Sequence, residues 1–206
     1  VADQVRRAPL AWLDAVAGQR LGARLGDLVP ARWSALHIPG ERRPPPPARF
    51  AGFGAGSWVV PPTRVPSPEL VRIGRDVVIM EESRLVAEGD AHISIGDRVL
   101  LARFVTVHAV VGVTIGNAVM SSDGISVCDS WGPRAPLPPA PVVIEDGAYL
   151  GAGCIVGPGV RVGHGAFIGE GAVVFDDVPP NTVVYGNPAK VTRRWSADGW
   201  VGPNLP

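Results

Sequence analysis

The sequence predicts a left-handed parallel β-helix, an all-β solenoid of about five coils behind an N-terminal helical segment. Three observations lead there. An aliphatic residue recurs every six positions at Ile144, Leu150, Val156, Val162, Ile168 and Val174. Glycine directly follows four of them, as Gly151, Gly157, Gly163 and Gly169. The same beat runs back through the chain in triplets separated by short insertions. A period of six suits neither an α-helix at about 3.6 nor a plain strand at about 2. It suits a triangular solenoid with about 18 residues per coil. Each unit makes one flat face, its aliphatic side chain points inward, and the small neighbour lets the backbone turn and pack closely.

The elements follow in chain order. Residues 1–38 read as the helical segment: Leu10, Leu13, Ala17, Leu21, Leu25 and Leu28 recur at helical spacing, and Pro30 ends the run. Its simplest role is to flank or cap the solenoid. A membrane-surface or substrate-facing role is the alternative, weakened by the balanced charge. Residues 39–68 hold Pro44-Pro45-Pro46-Pro47 and further prolines and read as an extended connector. The β-helix is expected over 69–178. Its earlier triplets are Ile73, Ile79 and Leu85, then Ile95, Leu101 and Val107, then Ile115, Ser121 and Val127. The coil starts at 73, 95, 115, 144 and 162 are 22, 20, 29 and 18 residues apart, so one insertion is much longer than the rest. It occupies a loop at 128–141 that runs Trp131-Gly132-Pro133-Arg134-Ala135-Pro136-Leu137-Pro138-Pro139-Ala140-Pro141. Such proline density cannot continue a ladder, and loops on rigid scaffolds often carry function. Residues 179–206 form a closing segment and a tail whose Trp195 and Trp200 are expected to dock on a neighbour.

Composition narrows the function classes. The formal net charge is +0, which offers no electrostatic footprint for nucleic acid. No apolar run is long enough to span a bilayer, and no basic-plus-apolar signal segment is read. The expectation is a cytoplasmic protein with no nucleic-acid partner and no membrane span. Cys128 and Cys154 show neither CxxC nor zinc spacing, so neither a metal nor a disulfide is expected.

Two stretches carry a resemblance. One is Pro141-Val142-Val143-Ile144-Glu145-Asp146-Gly147-Ala148-Tyr149-Leu150-Gly151-Ala152-Gly153. The other is Asp177-Val178-Pro179-Pro180-Asn181-Thr182-Val183-Val184-Tyr185-Gly186-Asn187-Pro188-Ala189-Lys190-Val191. Through them the chain, from Phe53 to Arg194, resembles the hexapeptide-repeat acyltransferases, in the branch that acetylates sugars, antibiotics and maltose- or galactoside-like acceptors. The resemblance implies a homotrimer with acetyl-CoA or another acyl-CoA in the groove between neighbouring β-helices. It implies O-acyl transfer to a small-molecule acceptor, a hydroxyl of a sugar or secondary metabolite. It assigns the pantetheine arm to Gly151, Ala152, Gly169 and Glu170, where small corner residues suit a slender ligand. It assigns the CoA phosphates to Lys190, Arg193 and Arg194, cations that suit anionic oxygens. One departure is that Phe175-Asp176 replaces a Thr-Lys pair common in relatives, removing a cation and adding an anion.

A second departure concerns the base. Acyl transfer needs a general base near the acceptor and donors for the developing oxyanion. Relatives supply a histidine from the loop, yet Val127-Cys128-Asp129-Ser130-Trp131-Gly132-Pro133 contains none. His108 is the replacement candidate. It follows the inward Val107, so alternation turns it outward, and register stacks it on Cys128 about 4.8 Å away. Three readings of His108 stand. It is a base that Asp129 orients, Asp129 otherwise meeting the acceptor. It is a surface histidine without chemistry. Or it activates Cys128 as an acyl-accepting thiol. Trp131 either stacks on the acceptor or anchors the proline loop. The competing function is a non-catalytic or atypical trimer that serves as scaffold, binder or catalyst of another reaction.

Overall fold

The computed structural model describes residues 49–132, 137–196 and 199–202. The helical segment 1–38, the start of the connector and the middle of the proline loop lie outside the described residues. The described chain winds as a parallel β-helix with three faces. Face A stacks Gly52–Phe53, Val71–Ile73, Ile93–Ile95, Val113–Ile115, Val142–Ile144 and Arg161–Val162. Face B stacks Trp58–Val59, Val78–Ile79, Leu100–Leu101, Met120–Ser121, Tyr149–Leu150 and Phe167–Ile168. Face C stacks Arg84–Ala87, Thr106–Ala109, Ser126–Cys128, Ile155–Val156 and Val173–Val174.

The inward columns are the sequence triplets. On face A, Ile73, Ile95, Ile115, Ile144 and Val162 pair rung on rung. On face C the column is Leu85, Val107, Val127, Val156 and Val174. On face B, Ile79 pairs with Leu101, and Ser121 with Leu150 and then Ile168. All are buried in one core. Each buried aliphatic side chain contributes about 1.5–3 kcal/mol, which offsets the ordering of short strands that no local propensity would hold. Ser121 keeps its place inside because its hydroxyl accepts the Ala102 N–H at 3.0 Å. The corner between faces A and B is tied by side-chain acceptors. Asp97 accepts the Arg75 amide at 2.8 Å, Asn117 the Asp97 amide at 2.8 Å, and Asp146 the Asn117 amide at 2.7 Å.

Two expectations change. The solenoid begins earlier and has six rungs on face A rather than five coils. Phe53 pairs with Ile73, Val59 with Ile79, and Arg64 bridges Arg84. Residues 52–64, expected in the connector, therefore make the first coil. Its prolines fit because Pro61 and Pro62 lie between strands, at the corner, and because an end coil pairs on one side only. The closing segment and tail, expected only to follow the last coil, also extend face B. Thr182–Tyr185 adds parallel to Phe167–Ile168, Lys190–Ser196 returns antiparallel, and Gly199–Val201 adds another antiparallel strand. Face B thus reaches nine strands, with Trp195 and Trp200 paired across its last hairpin. Among the described residues no helix is long and apolar enough to cross a membrane.

Candidate functional site

The outer side of face C holds the titratable chemistry. Its strands alternate, so Val107 and Ala109 point into the core while Thr106 and His108 point out. His108 pairs with Val86 on one side and Cys128 on the other, the neighbour that register predicts. Its Nε2 lies 2.9 Å from Glu88 Oε1, with the His108 side chain 31% exposed and that of Glu88 59%. A carboxylate only accepts, so this contact places the imidazole proton on Nε2 and leaves the lone pair on Nδ1. Glu88 was missed in the sequence. The usable signal was alternation: Val86 faces out, and Glu88, two residues on, continues the same side beside His108.

Asp129 does not hold His108. Alternation turns Cys128 out and Asp129 in, and Asp129 is fully buried. Its Oδ1 accepts the Val110 N–H at 2.8 Å, and its Oδ2 accepts those of Val111 at 2.7 Å and Gly112 at 2.6 Å. The carboxylate therefore closes the corner beyond His108, and the expected orienting role passes to Glu88. Asp129 also anchors the proline loop, because its carbonyl accepts the Ala140 N–H at 3.0 Å. Burial pushes the Cys128 thiol up, and the neighbouring Asp129 charge adds to the shift, so the resting form is the neutral thiol. Cys154 lies in the core, where burial pushes it up to about 12.

Trp131 lies over Gly157, where a Cβ would stand 2.8 Å from its ring, and its centroid is 6.3 Å from that of Phe175. The ring thus roots the loop on the last coils and stays 36% exposed. Next to it, Lys190 Nζ stands 3.7 Å from Asp176 Oδ2 with both groups exposed. An exposed pair of this kind is weak and leaves the ammonium open to a stronger anion.

The residues assigned to the pantetheine arm share the corner between faces B and C. Gly151 and Gly169 are buried, whereas Ala152 and Glu170 are exposed. Both glycines have packing reasons to be small. A Cβ on Gly151 would meet the next coil's backbone at 2.7 Å, and one on Gly169 would run into the Tyr185 ring. Tyr185 is thus a further residue at this corner that the sequence reading missed. Burial, then the charge and hydrogen bond of Glu170, push its phenol up, while Arg193 acts the other way. Glu170, Tyr185 and Arg193 therefore form one cluster. Tyr149 stacks on Phe167 with centroids 4.7 Å apart and shares a 2.7 Å hydrogen bond with Ser122. The expected residues thus fall into two groups at the two edges of face C, about four residues or 13 Å apart. Glu170, Tyr185 and Arg193 mark one edge. Trp131, Phe175, Asp176 and Lys190 mark the other, and His108, Glu88 and Cys128 lie on the face between.

The family model for bacterial transferase hexapeptide (six repeats) matches residues 141–176, the last two full coils. Residues 141–176 of this chain thus carry the hexapeptide repeat of that family model. It is 61% identical over 54 residues to the 2,3,4,5-tetrahydropyridine-2,6-dicarboxylate N-acetyltransferase of Halalkalibacterium halodurans, across 26% of this chain and 22% of that protein. It is 30% identical over 151 residues to the galactoside O-acetyltransferase of Escherichia coli, across 70% of this chain and 64% of that one. The chain therefore spans less than two thirds of the length of these curated relatives. Among solved structures, PerB from Caulobacter crescentus, in complex with CoA and GDP-perosamine, superposes with a TM-score of 0.53 at 25% identity. That match covers 66% of this chain and 56% of PerB. Among the described residues no three His, Cys, Asp or Glu side chains gather in a way that could hold a metal ion.

Proposed function

We propose that this chain is an acyl-CoA-dependent acyltransferase that transfers an acyl group, acetyl in the simplest case, to a hydroxyl of a sugar or secondary metabolite. The observation that carries this reading is the half-exposed His108–Glu88 pair on face C, between the two edge clusters. With Nε2–H held by Glu88, Nδ1 is the basic atom. It takes the acceptor's O–H proton as that oxygen attacks the thioester carbonyl. The C–S bond then breaks, and the imidazolium returns the proton to the departing thiolate. Glu88 stabilises the transient positive charge. The acyl-CoA phosphates are assigned to Lys190 and Arg193 and the arm to the Ala152–Glu170 corner. Trp131 borders the acceptor. The hexapeptide-repeat match over residues 141–176 and the CoA-bound state of PerB support the donor, and the galactoside relative supports oxygen as acceptor. Two edge clusters on one face also suit a groove shared by two copies, in keeping with a homotrimer.

The test is turnover of acetyl-CoA with a panel of sugar acceptors. His108→Ala should lower kcat by about 10²–10⁴ while acetyl-CoA still raises the melting temperature. Undiminished turnover in that variant removes His108 as base. The absence of histidine from loop 128–141 favours one second reading, a trimer that binds a ligand without acyl transfer. It requires no thioester consumption with any acceptor.

A further inference from the structure

The surroundings of His108 differ on its two sides. Face C carries an outward column of Val86, His108 and Cys128, which the same register continues to Gly157 and Phe175. Toward the first coil stands Glu88, already engaged by His108 Nε2. Toward the last coil the column turns apolar. Cys128 is a neutral thiol and packs as a small apolar group. Gly157 has no side chain, and the Trp131 ring fills its place beside Phe175. At the edge, Val110 and Val111 are 38% and 42% exposed. Asp129 holds them there, because its carboxylate accepts the backbone amides of both. A strip of exposed apolar groups next to a basic nitrogen is the lining of a small-molecule site.

A sugar needs a different lining. Each hydroxyl it takes out of water must meet a donor or acceptor, and an unmet one lowers affinity. The polar side chains around this strip, among the described residues, already have partners. Asp129 takes three amides, Glu88 takes His108, and the Ser130 hydroxyl takes the Gly132 N–H at 3.1 Å. We propose that the acceptor is an apolar ring-bearing alcohol rather than a sugar. Its ring lies against Trp131, Val110 and Val111, and its hydroxyl reaches His108 Nδ1. This rests on the reading of His108 as base. The acceptor oxygen bonds to the acyl carbon as the C–S bond breaks, and its proton passes through Nδ1 to the thiolate, leaving an ester and free CoA.

The test uses the full chain, acetyl-CoA, and two acceptors, 2-naphthylmethanol and methyl β-galactoside. The kcat/KM should favour 2-naphthylmethanol about tenfold or more. Trp131→Ala should raise its KM about tenfold and leave that of acetyl-CoA within about twofold. Val111→Asp, at an exposed position, should do the same and decides the matter where Trp131→Ala does not fold. Equal or better use of the galactoside overturns the proposal. A rise in the KM of acetyl-CoA instead gives the strip to the donor, and a changed oligomeric state with unaltered KM values gives it to a second copy. Either result overturns the proposal. Should neither alcohol be acetylated, calorimetry separates the two claims. Binding of 2-naphthylmethanol to the parent and not to Val111→Asp upholds the apolar site and removes acyl transfer to these alcohols. No binding overturns the proposal, whatever becomes of the acyltransferase reading.

Discussion

Faces B and C are stacked by the same coils, each buries an inward column that is almost wholly aliphatic, and they differ most on their outer sides. Outside face B the column Val78, Leu100, Met120 and Tyr149 is apolar and closed off. Outside face C the corresponding positions are Thr106, His108, Ser126 and Cys128, all of them half-buried and polar or titratable. The repeat therefore fixes the scaffold without fixing the role of a face. The inward period decides that a coil forms, and the outward residues decide whether that side is packed against or left accessible for chemistry.

The sharpest break of this comparison is a charge placed on each face. Leu100→Asp puts a carboxylate into the closed column with no partner and removes a buried side chain, so it should cost about 3–5 kcal/mol of unfolding free energy. Ser126→Asp on face C should stay within about 0.5 kcal/mol. Urea denaturation of both variants checks the pair, and equal losses would erase the distinction between the faces. Next in size is Asp129. Asp129→Ala leaves the Val110, Val111 and Gly112 amides, of which only that of Gly112 is buried, without their acceptor and should cost about 1–3 kcal/mol, whereas Asp129→Asn keeps one carbonyl acceptor and should lose less. His108→Ala should leave stability almost unchanged. That contrast separates a residue that holds the corner from the proposed base.

Glu88 gives a smaller effect. Glu88→Gln keeps the length but offers the imidazole a neutral partner. Turnover should fall about tenfold or more with little change in the KM for acetyl-CoA, since the loss is confined to the base. A rise in KM with unchanged kcat would place Glu88 in binding instead. Smaller again is thiol reactivity. Cys128 is partly accessible but held as the thiol, and Cys154 is buried and pushed up to about 12. At neutral pH in the native state iodoacetamide should modify Cys128 slowly and Cys154 not at all. Fast labelling of Cys128 would instead mark it as an activated nucleophile and restore the acyl-thiol reading.

What the sequence made legible follows from the same division. The inward positions could be read to the residue because a missed aliphatic would empty a rung, so Ile73, Ile95, Ile115 and Ile144 were visible, and with them the His108–Cys128 pairing. The first coil was not, although Phe53 and Val59 keep the beat, because Pro61, Pro62, Pro66 and Pro68 argue against strands when their places at corners are unknown. Asp129 was misassigned because its partners are backbone amides, which carry no side-chain signature. Glu88 and Tyr185 were missed because they reach His108 and Gly169 across coils, by contacts that the hexapeptide period does not encode.

The smallest expected effect lies at the corner between faces A and B, away from both outer columns. The Arg75 amide and then its guanidinium hold the Asp97 carboxyl below the usual carboxylate range. A folded-state value below the unfolded one, about 3.9, gives stability that is present above that pH and is lost as pH falls through it toward the folded value. Asp97→Ala should therefore melt slightly earlier than the parent at pH 7, and the gap should close below about pH 4. Asp97→Asn isolates the cause. It keeps an acceptor for the Arg75 amide and loses the charge. If the amide tie between coils dominates, Asp97→Asn should melt close to the parent at neutral pH. If the exposed ion pair dominates, it should match Asp97→Ala, and 0.5 M salt should remove the difference in the parent as well. The order of the causes at Asp97 favours the first outcome. The corner would then be held by the same kind of coil-to-coil tie that Asp129 makes at the other edge of face A, only nearer the solvent and correspondingly weaker.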